Sequence, residues 1–104
     1  MMGITLEGRK AVVTGGAQGL GAAITEHLAE EGCDVVVWDI NLEQAKATAA
    51  DVAARTGRLV EGRAVDVTDA DAVRDAVDAA VALMGRLDVM VCNAGILIAG
   101  DSLT

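Results

Sequence analysis

No proline, tyrosine or phenylalanine occurs in the 104-residue sequence, and tryptophan and histidine occur once each. A core without aromatic rings has to be assembled from aliphatic side chains. The apolar share is nevertheless 53%, so Ala, Val, Leu and Ile are expected to build it, as they do between a parallel sheet and its covering helices. Cations are scarce: eight Lys and Arg against sixteen Asp and Glu give a net charge of −8. Nucleic-acid and anionic-membrane surfaces need clustered Lys and Arg, so neither partner is expected. Cys33 and Cys92 have neither the paired spacing of a zinc site nor the density of a disulfide scaffold. Free, mostly buried thiols in a reducing cytoplasm are the expectation. His27, the sole imidazole, has no carboxylate partner or metal-ligand spacing and reads as an ordinary helix residue, so no metal is expected. The opening MMGITLEGRK lacks an apolar signal core and no later stretch approaches a membrane span, which argues against secretion and insertion.

What is present is an alternation of strand and helix patterns within a length suited to one domain and one modest core. KAVVT (10–14) is a β-branched run that ends in glycines and reads as a buried strand. From Gly19 to about Glu31, Leu20, Ile24 and Leu28 recur at helical spacing while Glu26, Glu30 and Glu31 face elsewhere, and Gly32 closes the helix. DVVVWD (34–39) is a second strand. Asn41 with Gln44 resembles a capping box that opens an Ala-rich helix stopping at Gly57. LVEGRAVD (59–66) is a third, less regular strand. Thr68 is read as the cap of a helix whose apolar stripe is Ala70, Val73, Ala76, Val77, Ala80, Val81 and Met84, with Asp71, Asp75 and Asp78 on the wet face and Gly85 at its end. LDVMVCN (87–93) is a fourth strand. The order βαβαβαβ, under the right-handed crossover rule, gives an α/β fold with an open parallel sheet and helices on both faces. No repeats, linkers or low-complexity segments interrupt it.

VVTGGAQGLG (12–21) carries the chemistry. A strand runs into a turn where Gly15 and Gly16 permit unusual backbone angles, Gly19 lets main chain approach a ligand, and Gly21 allows the next helix to lie close to the sheet. Free amides at the start of that helix, with its dipole, favour a pyrophosphate. The spacing is T-G-x-x-x-G-x-G, not the literal G-x-G-x-x-G. Asp39, at the end of the second strand, is placed either to accept hydrogen bonds from adenosine ribose hydroxyls or to be a solvated strand-end carboxylate. A 2′-phosphate there would meet like charge, and Ile40 and Asn41 follow with no Arg or Lys to offset it, so NAD is expected over NADP.

Three segments in register resemble the short-chain dehydrogenase/reductase family. TGGAQGLG is similar to its cofactor loop, VDVTD to its adenine-pocket segment, and VCNAG to its N-N-A-G motif with Cys92 in place of the first Asn. The likeness runs from about Gly8 to Gly95 and extends equally to the NAD-type and to the 3-oxoacyl-carrier-reductase-like members. It implies an incomplete Rossmann-type doubly wound parallel sheet of about four strands, one partial dinucleotide-binding domain over residues 1–104, with NAD(H) as cofactor. It further implies that Gly15, Gln18, Gly19, Leu20 and Gly21 frame the pyrophosphate and that Asp39, with Ile40 beside it, holds the ribose. Asp66 would accept from the adenine amino group and the Val67 backbone would reach the ring. Asn93, Ala94 and Gly95 would line the floor near the nicotinamide ribose, with Asn93 also tying the fourth strand to its neighbours. Asp66 also fits a plain carboxylate near a helix start, and Asn93 and Gly95 a plain strand exit.

The family moves hydride between nicotinamide and a carbonyl or alcohol carbon with a Tyr, a Lys four residues later and an upstream Ser. Here there is no Tyr, Ser102 follows the N-A-G loop directly, and Lys10 and Lys46 stand far from any such triad. No catalytic residue is therefore expected among these residues. They read as the cofactor half of such an oxidoreductase, as a catalytically silent dinucleotide module needing a complementing partner, or as a structural fragment. The Leu87 to Cys92 strand is expected to form an apolar sheet edge open to self-association or to a complementing C-terminal segment.

Overall fold

The computed structural model describes residues 6–93. Their elements are β1 (Lys10–Thr14), α1 (Gly19–Glu30), β2 (Asp34–Asp39), α2 (Leu42–Thr56), β3 (Val60–Ala64), α3 (Ala70–Met84) and β4 (Val89–Cys92). The strands form one parallel sheet in the order β3-β2-β1-β4. Val12 of β1 lies opposite Val36 on one side and Met90 on the other.

The β-branched runs of β1 and β2 fill the centre because both of their faces are covered. Ala11, Val13, Val35 and Val37 pack with Leu28 and Ala29 of α1 and Ala45, Ala49 and Val52 of α2. Val12, Val36 and Trp38 point the other way, onto Ala76, Ala80 and Met84 of α3. Strand alternation thus sorts one aliphatic run into two cores, and the right-handed crossover from β3 to β4 carries α3 to the face opposite α1 and α2. Each fully buried Val contributes about 1.5–3 kcal/mol by leaving water. That exceeds the contribution of a solvent-screened ion pair such as Arg55 with Asp51, so the sheet is held by its aliphatic layers.

Five local expectations are corrected. In α1 the inward residues are Gly21, Thr25, Leu28 and Ala29, while Leu20 is 69% exposed. The helix is rotated by one residue from the Leu20–Ile24–Leu28 stripe because position 21 must face the turn after β1. In α3 the cap is Asp69, whose Oδ1 accepts from the N–H groups of Asp71 and Ala72 at 3.0 and 3.2 Å. The Thr68 hydroxyl instead donates to Asp66. The buried stripe of α3 is the narrower set Ala76, Ala80 and Met84, with Ala70 and Val81 exposed. The third strand is confined to Val60–Ala64, an edge strand whose outer residues face solvent. At α2, Asn41 Oδ1 accepts from Gln44 N as expected, but the Asn41 N–H goes to Asp39 rather than to Gln44. β4 pairs with β1 and, among the described residues, ends the sheet on that side.

The amino-terminal ends of the strands are tied by charge. Asp34, 8% exposed, accepts from Lys10 Nζ at 2.6 Å, from an Arg58 guanidinium nitrogen at 3.1 Å and from Leu59 N at 3.3 Å. Burial pushes this carboxyl up, but the Lys10 hydrogen bond, the Leu59 N–H and the charges of Lys10 and Arg58 outweigh it and hold it below the usual carboxylate range. A lowered folded-state pKa stabilises the fold above the unfolded value of about 3.9, and that stability is lost as pH falls through the folded value. Asp34→Ala is expected to lower the unfolding free energy at pH 7 by about 2 kcal/mol, less than the ~3–5 kcal/mol of a fully buried pair because the Arg58 side chain is 35% exposed. Urea unfolding at pH 7 and pH 3 checks this: the wild type should lose more stability on acidification than the variant.

Candidate functional site

The carboxyl ends of β1 and β2 are joined through the glycine turn. Gly15 and Gly16 donate their N–H groups to the Trp38 carbonyl at 2.7 and 3.3 Å. Gly15 and Gly19 have φ values of 63° and 60°, the left-handed region that a side chain disfavours. β4 holds the same turn from the other side. The Asn93 side-chain amide donates to the Gly15 carbonyl at 3.2 Å, and the Asn93 N–H donates to Thr14 Oγ1 at 2.9 Å.

Gly21 sets how close the helix comes. A Cβ at this position would lie 2.0 Å from the Gly15 carbonyl oxygen, so α1 can begin against the turn only without a side chain there. The start of α1 also differs from those of the other two helices. Asn41 and Asp69 cap α2 and α3 with side-chain oxygens. Gln18, at the N-cap of α1, makes no side-chain cap and no acidic residue occupies the first turn. Uncapped first-turn amides and the positive end of the helix dipole make an anion-binding position.

Beside this junction an open cleft of about 260 Å³ is lined by Gly15, Trp38, Asp39, Ile40, Val65, Asp66 and Val67. Ile40 and Val67 are 76% and 43% exposed and form its apolar rims. Its charged lining is acidic at both positions, Asp39 and Asp66, with no Lys or Arg among the lining residues. Asp39 spans the cleft and the turn: Oδ2 accepts from Ala17 N at 3.3 Å and Oδ1 from Asn41 N at 3.1 Å. Asp66 Oδ1 accepts from the Thr68 hydroxyl at 2.6 Å and the Thr68 N–H at 2.9 Å. Those two bonds hold its carboxyl below the usual range, so it remains an ionised acceptor suited to an amino donor.

The fold therefore gathers Gly15, Asp39, Ile40, Asp66 and Val67 at one cleft. Gln18, Gly19, Leu20 and Gly21 stand at the adjoining start of α1, and Asn93 is joined to them through Gly15. Ala94 and Gly95 lie outside the described residues. Trp38, Ala17 and Thr48 were not legible as site residues. The Thr48 hydroxyl donates to the Ala17 carbonyl across 31 positions of sequence, a contact for which no local pattern exists.

A family model described as short chain dehydrogenase matches residues 9–104. The chain belongs to this family. A 3-oxoacyl-(acyl-carrier-protein) reductase of Chlamydia muridarum is 41% identical over 95 residues, which cover 91% of this chain and 38% of that protein. An uncharacterized oxidoreductase of Mycobacterium bovis is 50% identical over 98 residues, with the same two coverages of 91% and 38%. Among solved structures, a hydroxysteroid dehydrogenase from Escherichia coli is similar at TM-score 0.82 and 31% identity, covering 88% of this chain and 38% of that one. A metagenomic short-chain oxidoreductase in complex with NADP is similar at TM-score 0.81 and 36% identity, covering 89% and 42%. An NAD+-bound xylitol dehydrogenase is similar at 0.79 and 31%, covering 84% and 33%. The chain thus spans about two-fifths of the length of these relatives or less.

The turn geometry gives a graded expectation. Gly21→Ala, which drives a Cβ into a backbone oxygen, should lower the unfolding free energy by about 3 kcal/mol or more. Gly19→Ala, with open space at the Cβ position but a positive φ, should lower it by only about 1–2 kcal/mol. Chemical denaturation of the two variants measures the difference.

Proposed function

We propose that this chain is the NAD(H)-binding portion of an oxidoreductase that moves hydride between the nicotinamide and a carbonyl or alcohol carbon. The observation that carries the reading is Asp39, a carboxylate at the strand end, hydrogen-bonded to the glycine turn on one side and open to an acidic cleft on the other. The side-chain-free cradle at Gly21 and the uncapped start of α1 fit a pyrophosphate. In this reading Gly15, Gln18, Gly19, Leu20 and Gly21 hold the pyrophosphate, Asp39 and Ile40 the adenosine ribose, and Asp66 and Val67 the adenine. Asn93, Ala94 and Gly95 are assigned to the nicotinamide ribose. NAD(H) supplies the hydride acceptor or donor. The residues of this chain bind and orient it: Asp39 accepts from ribose hydroxyls with Ile40 beside it, and the Val67 backbone reaches the adenine ring.

Like charge at Asp39, with no cation in the cleft lining, opposes a 2′-phosphate, which favours NAD(H) over NADP(H). A general acid is needed to neutralise the alkoxide as hydride arrives. The sequence has no tyrosine to serve as that group, so these 104 residues contribute binding and not the proton transfer.

Titration of the chain with NADH and NADPH is expected to show NADH bound about tenfold more tightly, a difference of roughly 1.4 kcal/mol. Asp39→Ala should narrow that gap, and neither protein should turn over a carbonyl or alcohol substrate. Equal affinity of the wild-type chain for both dinucleotides would defeat the role given to Asp39.

A further inference from the structure

Ala17, in the middle of the glycine turn, is held at both of its backbone polar groups. Its N–H donates to Asp39 Oδ2 at 3.3 Å. Its carbonyl accepts from the Thr48 hydroxyl, in the middle of α2. Thr48 is half-buried between the helix and the turn. The two anchors come from different elements, the end of β2 and the body of α2, and they grip one peptide segment from opposite ends.

The Ala17 side chain is also buried in the first core, but packing does not fix the direction of its peptide groups. Gln18 supplies no side-chain cap to α1, and Gly15 and Gly19 bring the backbone freedom that makes the turn adaptable. The bonds from Gly15 and Gly16 to Trp38 and from Asn93 to Gly15 fix its first half. The second half, from Ala17 into the first amides of α1, is fixed by Asp39 and Thr48. Ribose hydroxyls bound at Asp39 would share the carboxylate with Ala17 N–H. Thr48 is the anchor on Ala17 that does not compete with a ligand.

We propose that Thr48 is a positioning residue for dinucleotide binding: by holding the Ala17 carbonyl it aims the amides at the start of α1 toward the pyrophosphate. The proposal rests on the NAD(H) reading given above. Thr48 touches no ligand in this arrangement and acts only through Ala17. The adenine cleft does not include Ala17 or Thr48 in its lining, and its tie to Ala17 runs only through the Asp39 carboxylate, so loss of the hydroxyl is expected to act on the start of α1 first.

The test compares Thr48→Val, which keeps the shape and removes the hydroxyl, with Thr48→Ser, which restores a donor. NADH affinity should fall about fivefold in Thr48→Val, the change expected for loss of one hydrogen bond, and recover to within about twofold in Thr48→Ser. Adenosine, which has no phosphate, should bind both variants and the wild type alike. Without any ligand, amide hydrogen exchange from Ala17 to Gly19 should accelerate in Thr48→Val and not in Thr48→Ser. Unchanged NADH affinity, unchanged exchange in Thr48→Val, an equal loss of adenosine and NADH, or failure of Thr48→Ser to recover would each overturn the proposal. If the wild-type chain binds no NADH, the dinucleotide reading falls. The exchange measurement then decides by itself whether Thr48 positions the turn.

Discussion

The approach of α1 to the turn after β1 is the constraint on which the remaining arrangement rests. At Gly21 the helix comes so near the Gly15 carbonyl that a methyl group would sit at 2.0 Å. This contact fixes the rotation of α1, and so which of its residues reach the core: Thr25, Leu28 and Ala29 turn inward and Leu20 turns out. It also brings the first amides of α1 beside the ends of β1 and β2, where Asp39 and the cleft are found. One missing side chain thereby couples the packing of the first core to the geometry of the site.

The sheet has a division of labour along its strands. At their amino-terminal ends, Asp34 gathers Lys10 and Arg58 into a partly buried ionic cluster that closes the bottom of the sheet. At their carboxyl ends, Asp39 and Asp66 stand without a cation in the cleft lining. Carboxylates of the same chain are therefore neutralised at one end and left open at the other. Open α/β sheets bind ligands outside the carboxyl ends of their strands, and the uncompensated carboxylates lie on that side.

The order of strands and helices was legible because its signals are local and strong. β-branched runs such as VVV (35–37) allow few alternatives, and the glycines after β1 and after each helix mark where those elements stop. The two-faced burial followed from the crossover rule alone. The errors came where two local rules compete. Thr68 and Asp69 are both good caps, and Asp69 prevails because Thr68 is engaged by Asp66. In α1 the apolar periodicity of Leu20, Ile24 and Leu28 yields to the steric demand at Gly21, which depends on the distance to another element. The glycine turn and Asp39 were legible as a binding pattern because chain spacing encodes them. The tie from Asn93 to the end of β1 was legible through the family likeness, but the Ala17–Thr48 bond was not, since it joins segments 31 positions apart and exists only once the sheet is assembled.

Trp38 lends the molecule an optical property that follows from its place in the fold. It is the sole tryptophan in a sequence without tyrosine, so one indole accounts for the aromatic absorption and emission of the folded chain. At 1% exposure it is packed against Val36, Val65 and α3 on one side of the sheet while bordering the acidic cleft. Its fluorescence thus reports two events at once: the integrity of the second core, through exposure of the ring to water, and occupancy of the cleft, through quenching by whatever lies against its wall.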